Sequence, residues 1–259
     1  MTHHPDSIRM NKAISDSGYC SRRKADTLIE QGRVTLNGEK VSLGDRAMPG
    51  DEIRIDGKLI TENDNLVYIA LNKPVGITCT TDTRVDGNVV DFIGHKERIF
   101  HVGRLDKPSE GLLLMTNDGD IVNKILRAGN DHEKEYIVKT DRPITADFIK
   151  KMGNGVWLEE LETLTKKCEV EQISRLVFRI VLVQGLNRQI RRMCEYLGYE
   201  VVELKRIRIM NITLGDLPVG KWRDLTTKEL QDLKDAVSGS KNVPQVERIT
   251  STGGRRRKK

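Results

Sequence analysis

The sequence has no apolar run near the roughly 18 to 20 residues that a helix needs to cross a bilayer. Its first residues, Met-Thr-His-His-Pro-Asp, lack the apolar stretch of a secretory leader. A soluble, cytoplasmic protein is expected. The four cysteines, Cys20, Cys79, Cys168 and Cys194, are scattered and form no Cys-x-x-Cys pair, which argues against a zinc site or disulfide framework and for reduced, buried thiols. No His/Cys/acid cluster has metal-ligand spacing, and neither a Gly-x-Gly-x-x-Gly nor a Walker-type loop is present. A protein without metal or cofactor is expected. Most of the chain also lacks net charge. The formal +6 lies entirely in residues 241–259, where seven Lys/Arg face one acid, Glu247, so that residues 1–240 sum to zero. A nucleic-acid surface on the folded part must therefore come from local clustering.

With 259 residues, 37% of them apolar, there is room for one enzyme domain and a small accessory module. Residues 8–31 read as two short helices, the first stopping at Gly18 with Ile8/Ile14 and Arg9/Lys12 on opposite faces. The second runs from Arg22 to Gln31 behind the N-cap Ser21 and ends at Gly32. Asn37-Gly38 between alternating apolar residues signals a hairpin, and the module closes near Ile60. Residues 61–65 are a polar linker. A strand is expected over Leu66–Leu71, another over Gly111–Met115, and a helix capped by Asn117 or Asp118 reaching Leu126. Further strands cover Glu135–Lys139, Thr165–Glu171, Leu176–Gln184 and Val201–Ile209. Helices follow from Thr145 to Gly153, from Asn187 to Leu197, and from the capping box Thr226-x-x-Glu229 to about Ala236. Irregular interleaving predicts an α+β fold with a mixed, largely antiparallel sheet. The division expected is a disordered start (1–7), the helical module (8–60), the linker (61–65), a main domain (66–237) and a disordered basic tail (238–259).

Two stretches carry chemistry. Arg9, Lys12, Arg22, Arg23 and Lys24 fall within sixteen residues that hold one acid, Asp16. Such clustering is an electrostatic footprint for phosphates, although a solvated helix face has the same composition. The order of residues from Arg9 to Gly38, with Gly-Tyr-Cys-Ser-Arg-Arg-Lys-Ala-Asp and Gly-Arg-Val-x-Leu-Asn-Gly, closely resembles the S4 RNA-binding domain. The second stretch is Gly103-Arg-Leu-Asp106-Lys-Pro-Ser109-Glu-Gly111-Leu-Leu-Leu-Met-Thr-Asn-Asp-Gly119. Arg104 and Asp106, two apart, share a face if extended, as an ordinary surface salt bridge would. The segment is similar to the catalytic signature of the RsuA-type pseudouridine synthases. Lys134-Glu-Tyr136 and Gln184-Gly-Leu-Asn187-Arg188-Gln189-Ile-Arg191-Arg192-Met193 match two further motifs of that family, Leu186 standing where Arg or Lys is common. Residues 129–136 resemble most the RluF branch, which acts on 23S ribosomal RNA.

That resemblance implies an S4 module followed by a synthase domain that isomerises uridine, as a monomer and without cofactor. Asp106 is implied to act on the ribose, as a nucleophile at C1′ or by assisting departure of uracil toward a glycal-type intermediate. Either role needs an ionised carboxylate beside a cation, and Arg191 is the implied cation. Arg188, Arg191, Arg192 and Glu195 recur at i, i+3, i+4 and i+7, one helix face, which a merely solvated helix also presents. Tyr136 is implied to stack on the flipped base and to take a proton during isomerisation; by itself an isolated tyrosine more often reads as a half-buried core residue. Arg104 is expected to reach the RNA or position the Asp106 loop, and Asn187, Arg188 and Gln189 to contact substrate. Lys73-Pro74-Val75-Gly76 is expected to be structural. The expected partner is a 23S ribosomal RNA stem-loop. The same chemistry on a transfer RNA anticodon stem-loop, or a non-catalytic S4-type factor, remains open at this point. Deleting residues 240–259 should lower RNA affinity and flatten its salt dependence while leaving turnover at saturating RNA measurable; loss of that turnover would overturn the assignment of the tail.

Overall fold

The computed structural model describes residues 4–61, 63–126 and 131–239. The N-terminal module begins with β1 (Ile8–Arg9), α1 (Met10–Asp16) and α2 (Arg22–Glu30). Then come β2 (Val34–Leu36), β3 (Glu39–Lys40), β4 (Arg46–Ala47), β5 (Ile53–Ile55) and β6 (Lys58–Ile60). Ser21 caps α2 by accepting from Lys24 N. Met10 and Ile14 of α1 pack with Ala25, Leu28 and Ile29 of α2 over Val34, Ile53 and Ile55 of the sheet β3-β2-β5-β6. The Asn37-Gly38 hairpin is present, with φ of +51° and +89°, as a two-residue primed turn requires. One difference concerns the start. Ile8 and Arg9 are extended and pair with Ala47 and Arg46, and Met10 N donates to Asp45 O at 2.8 Å. A strand partner is therefore available to residues 8 and 9, and the helix begins only at Met10.

The larger part runs through β7 (Tyr68–Lys73), α3 (Val89–Ile93), β8 (Phe100–Val102), β9 (Glu110–Thr116) and α4 (Gly119–Leu126). It continues with β10 (Lys134–Thr140), α5 (Ala146–Asn154), β11 (Trp157–Leu158), β12 (Thr163–Leu164) and β13 (Glu169–Gln172). Last come β14 (Val177–Leu182), α6 (Gln189–Tyr196), β15 (Val201–Ile209), β16 (Ile212–Thr213), β17 (Trp222–Asp224) and α7 (Thr227–Ser238). Among the described residues the sheet has nine strands, in the order β13-β14-β10-β15-β9-β7-β17 with β16 on β15 and β8 on β9. Its pairs are antiparallel except β15 with β9, so the sheet is mixed and largely antiparallel. Phe148 and Met152 of α5 and Ile190 and Met193 of α6 cover one face, over Leu71, Leu113, Val138 and Phe178. Ile121 and Ile125 of α4 and Leu233 and Val237 of α7 cover the other, over Tyr68, Ala70, Leu112 and Leu114.

Several boundaries move for identifiable reasons. The expected strand 165–171 is broken, because Thr165 N and Cys168 N are drawn to Val156 O and Gly153 O beside α5. The Asn187–Leu197 helix starts at Gln189, since Arg188 sits at φ +51°, outside helical conformation. Asp118, not Asn117, caps α4, its Oδ1 accepting from Asp120 N and Ile121 N. Asn117 instead clasps the chain entering β7, accepting from Val67 N and donating to Asn65 O. The Thr226/Glu229 capping box is formed as read. The expected disordered tail lies outside the described residues beyond Gly239, as does part of the 129–136 stretch.

The parallel contact has a strict steric condition. Gly111, at φ +110°, faces Arg206, and a Cβ there would lie 2.3 Å from Arg206 O and 2.7 Å from its N. Backbone cannot yield as a side chain does. Gly111→Ala is expected to cost on the order of 3 kcal/mol through backbone strain and overpacking, read as a lower urea midpoint; an unchanged midpoint would refute the close approach.

Candidate active site

The loop after β8 is shaped by short-range bonds. Gly103 turns at φ +70°, Leu105 is buried and its N donates to Cys79 Sγ at 3.4 Å, and Ser109 N closes back on Asp106 O at 2.9 Å. The turn at Lys73–Gly76 braces this loop, with Gly76 N donating to Lys107 O at 2.9 Å. Lys73 itself is fully buried, its Nζ donating to Pro74 O at 2.8 Å and Ile77 O at 2.9 Å. Burial pushes its ammonium pKa down. That is the structural role expected of the Lys-Pro-Val-Gly segment.

Asp106 emerges from this loop one-third exposed, at the wall of a cleft of about 700 Å³. Its Oδ2 lies 3.8 Å from Arg191 Nε and 3.9 Å from Arg188 Nη1. The distances are those of an ion pair, not a tight hydrogen bond. Arg191 is held independently of it. Its Nη1 donates to Val201 O at 3.1 Å, and its Nη2 to Pro108 O and Ser109 Oγ, each at 3.2 Å. Burial and the neighbouring Arg188 lower the Arg191 pKa, against the pull of Asp106. A guanidinium fixed by two carbonyls and a hydroxyl is a preorganised counter-charge. Tyr136 lines the same cleft from β10 and is mostly buried, at 9% exposure.

The other expected residues divide. Arg104 lines the cleft and is exposed; with β8 ended at Val102, it no longer shares an extended run with Asp106. Arg188 leads into α6 from outside the helix, so the i, i+3, i+4, i+7 row does not include it, yet it still reaches Asp106. Asn187 is exposed and its Oδ1 accepts from Arg192 Nη2 at 3.2 Å; Arg192 is also paired to Glu160. Gln189 is 4% exposed, and its amide is spent on Leu186 N and Gln184 Oε1, which makes it a brace of the loop before α6. Arg9, Arg22, Arg23 and Lys24 are exposed on the N-terminal module. Lys12 differs: its Nζ bonds Asp16 at 2.5 Å and Asp120 of α4 at 3.2 Å. These acids raise its pKa against the opposing effect of burial. Its charge is used between the two parts of the chain, not presented as a free phosphate contact. Among the described residues no group of three or more His, Cys, Asp or Glu is placed to hold a metal ion.

Three cleft residues were given no site role by the sequence, although Ser109 and Lys134 stand inside the family motifs. Ser109 is 1% exposed and receives Arg191; its place in the Asp106 motif was the available signal. Arg206 is 3% exposed, donates from Nε to Leu112 O at 2.7 Å, and has a buried Nη2 with no hydrogen-bond partner. Lys134 stands on the same face of β10 as Tyr136, with Nζ donating to His132 O at 2.8 Å. Burial, then the charge of Arg206, pushes the Lys134 pKa down to about 8. Protons thus bind more weakly to folded than to unfolded chain at this residue, a penalty complete below about pH 8 and relieved as pH rises toward the ordinary lysine value. Lys134→Met should therefore stabilise the fold at neutral pH, with an advantage that shrinks above pH 8 in paired thermal melts. A constant or reversed difference would contradict the depressed pKa.

The family model described as RNA pseudouridylate synthase matches residues 67–196, and that of the S4 domain residues 8–53. The dual-specificity RNA pseudouridine synthase RluF of Salmonella typhi is 56% identical over 97% of this chain and 88% of its own length. The ribosomal large subunit pseudouridine synthase B of Bacillus subtilis is 35% identical over 91% of this chain and 99% of its own. A crystal structure of a pseudouridylate synthase aligns at a TM-score of 0.66 and 30% identity, covering 88% of this chain and 100% of that one. Matched along nearly its whole length, with the Asp106 loop, Tyr136 and Arg191 all inside the matched region, the chain belongs to the RNA pseudouridylate synthase family and carries an S4 domain in front.

Proposed function

We propose that this protein converts a specific uridine in a stem-loop of 23S ribosomal RNA to pseudouridine, with Asp106 acting at C1′. The observation that carries this reading is the carboxylate of Asp106 set between Arg188 and Arg191 at a cleft that Tyr136 also lines. Reaching N1 and C5 of a base inside a helix requires extruding it, at a few kcal/mol of lost stacking, and the Tyr136 ring offers a replacement surface. Arg191, anchored by backbone carbonyls, is the fixed counter-charge 3.8 Å from the Asp106 carboxylate during its work on the ribose. Tyr136 is the group we assign to the C5 proton. The base leaves N1, turns and rejoins through C5 within one molecule, so neither an acceptor nor an external energy source is required. Asp106, Tyr136, Arg188 and Arg191 come from one chain, which suits a monomer working in the cytoplasm, where its RNA substrate resides.

The exposed cations Arg9, Arg22, Arg23 and Lys24 are assigned to the RNA backbone, with Arg104 at the cleft wall nearer the target. A second substrate reading has specific support: relatives 56% identical are named dual-specificity enzymes. We therefore extend the proposal to a transfer RNA stem-loop treated by the same cleft. Asp106→Asn removes the charge at nearly constant shape. It is expected to abolish pseudouridine formation, by a factor of 1,000 or more on the order of what triad-type groups supply, while RNA binding stays within a few-fold. Mapping pseudouridine in ribosomal and transfer RNA with and without the protein identifies the site. A variant that forms product at the normal rate would remove Asp106 from the mechanism.

A further inference from the structure

Lys134 and Arg206 are two cations in the wall of one cleft, and neither has an anionic partner among the described residues. Arg206 is the cross-strand partner of Tyr136. Its Nε bonds Leu112 O, while its buried Nη2 has no hydrogen-bond partner among the described residues. Lys134 bonds only a main-chain oxygen, His132 O, among the contacts it makes. No carboxylate among the described residues forms an ion pair with either. Two adjacent, partly desolvated cations without a counter-charge repel one another and cost stability; burial first, and the charge of Arg206 second, lower the Lys134 pKa. Such an arrangement gains most when negative charge arrives beside it.

The strand also fixes where that charge would be. Residues 134 and 136 project from the same face, about 6.6 Å apart along the strand. Glu135, on the opposite face, is clamped by Arg179 and Arg208 at 2.6 Å each, next to a shift in the β10–β15 register between Glu135 and Tyr136 that brings Arg206 opposite Tyr136. We propose that Lys134, backed by Arg206, is a further substrate-binding cation of the cleft, holding the negative charge that uracil acquires when the N1–C1′ bond breaks. The inference rests on the uridine-isomerase reading above and deepens it.

In this step the electron pair of the N1–C1′ bond leaves with the base, so negative charge spreads over N1 and the O2 and O4 carbonyls. Lys134 keeps its proton and donates a hydrogen bond to that charge. The charge is discharged when C5 forms its bond to C1′, after which the C5 proton is lost and N1 is protonated. Nothing is oxidised or reduced, and substrate and product are isomers. A lysine devoted to backbone phosphate fits the site less well, because phosphate contacts belong at exposed rims such as the Arg22–Lys24 face. Lys134 is recessed, beside the ring expected to carry the base.

The test uses the full chain and a stem-loop transcript carrying the mapped uridine, with single-turnover product formation and Kd measured separately. Lys134→Met should slow the single-turnover rate at saturating RNA about 100-fold, as loss of one transition-state donor does, with Kd changed less than about threefold. Lys134→Arg should recover at least about a tenth of the wild-type rate. The proposal falls if Lys134→Met keeps the normal rate. It falls equally if the damage lies in Kd, with a salt slope reduced by about one and a normal rate, since that is a phosphate contact. Asp106→Asn run in parallel separates the levels. If Asp106→Asn is inert while Lys134→Met is normal, only the Lys134 role fails; if both form product normally, the reading of the cleft fails with it.

Discussion

The middle of the sheet is joined by a contact only two residue pairs long, Lys205 and Arg206 of β15 against Glu110 and Gly111 of β9. On one side lie β7, β8 and β9, whose connecting loop presents Asp106. On the other lie β10, β14 and β15, with Tyr136 on β10 and α6 delivering Arg191. Neither half contains the cleft by itself. The absence of a side chain at Gly111 lets the backbones meet, and the Arg206 Nε bond to Leu112 O adds a side-chain tie across the join. Geometry on an ångström scale at the cleft thus depends on main-chain packing some residues away.

Electrostatics within the cleft follows from which cations are satisfied elsewhere. Arg191 spends its Nη atoms on Val201, Pro108 and Ser109, so its position does not depend on the carboxylate it faces. Arg192, one residue on, is consumed by Glu160 and Asn187 and plays no part in the cleft. Lys12 is likewise consumed, by Asp16 and Asp120. Cations with unused capacity in the cleft wall include Arg104, Arg188, Lys134 and Arg206, and Arg188 stands beside Asp106. A site with more positive than negative charge suits a polyanion whose base becomes negative in mid-reaction.

Much of this was legible in the residues. Asp106, Tyr136 and Arg191 sit in motifs whose spacing survives folding, and capping residues such as Ser21, Thr145 and Thr226 act within three residues of themselves. Local signals of that kind can be read in one dimension. What could not be read depended on distant partners. Whether Lys12 faces RNA or Asp120 is decided by a helix more than a hundred residues away. Arg206 looks like any strand arginine until Leu112 and Gly111 are placed against it. Arg188 looks helical by spacing, and only its left-handed backbone, at φ +51°, takes it out of the helix. Ile8–Arg9 turned out extended because Arg46 and Ala47 offered a partner strand.

The amide of Asn117 grips Asn65 and Val67 at the point where the chain leaves the N-terminal module, and Asp118 beside it caps α4. The chain entering β7 is therefore anchored onto the same strand-to-helix corner that receives Lys12. A module tied at both of these points samples a small volume, and its local concentration at one flank of the cleft is correspondingly high. Under the proposed activity, such a fixture would act as a gauge: hairpins whose grip point and target nucleotide lie the wrong distance apart would be passed over without any base being read.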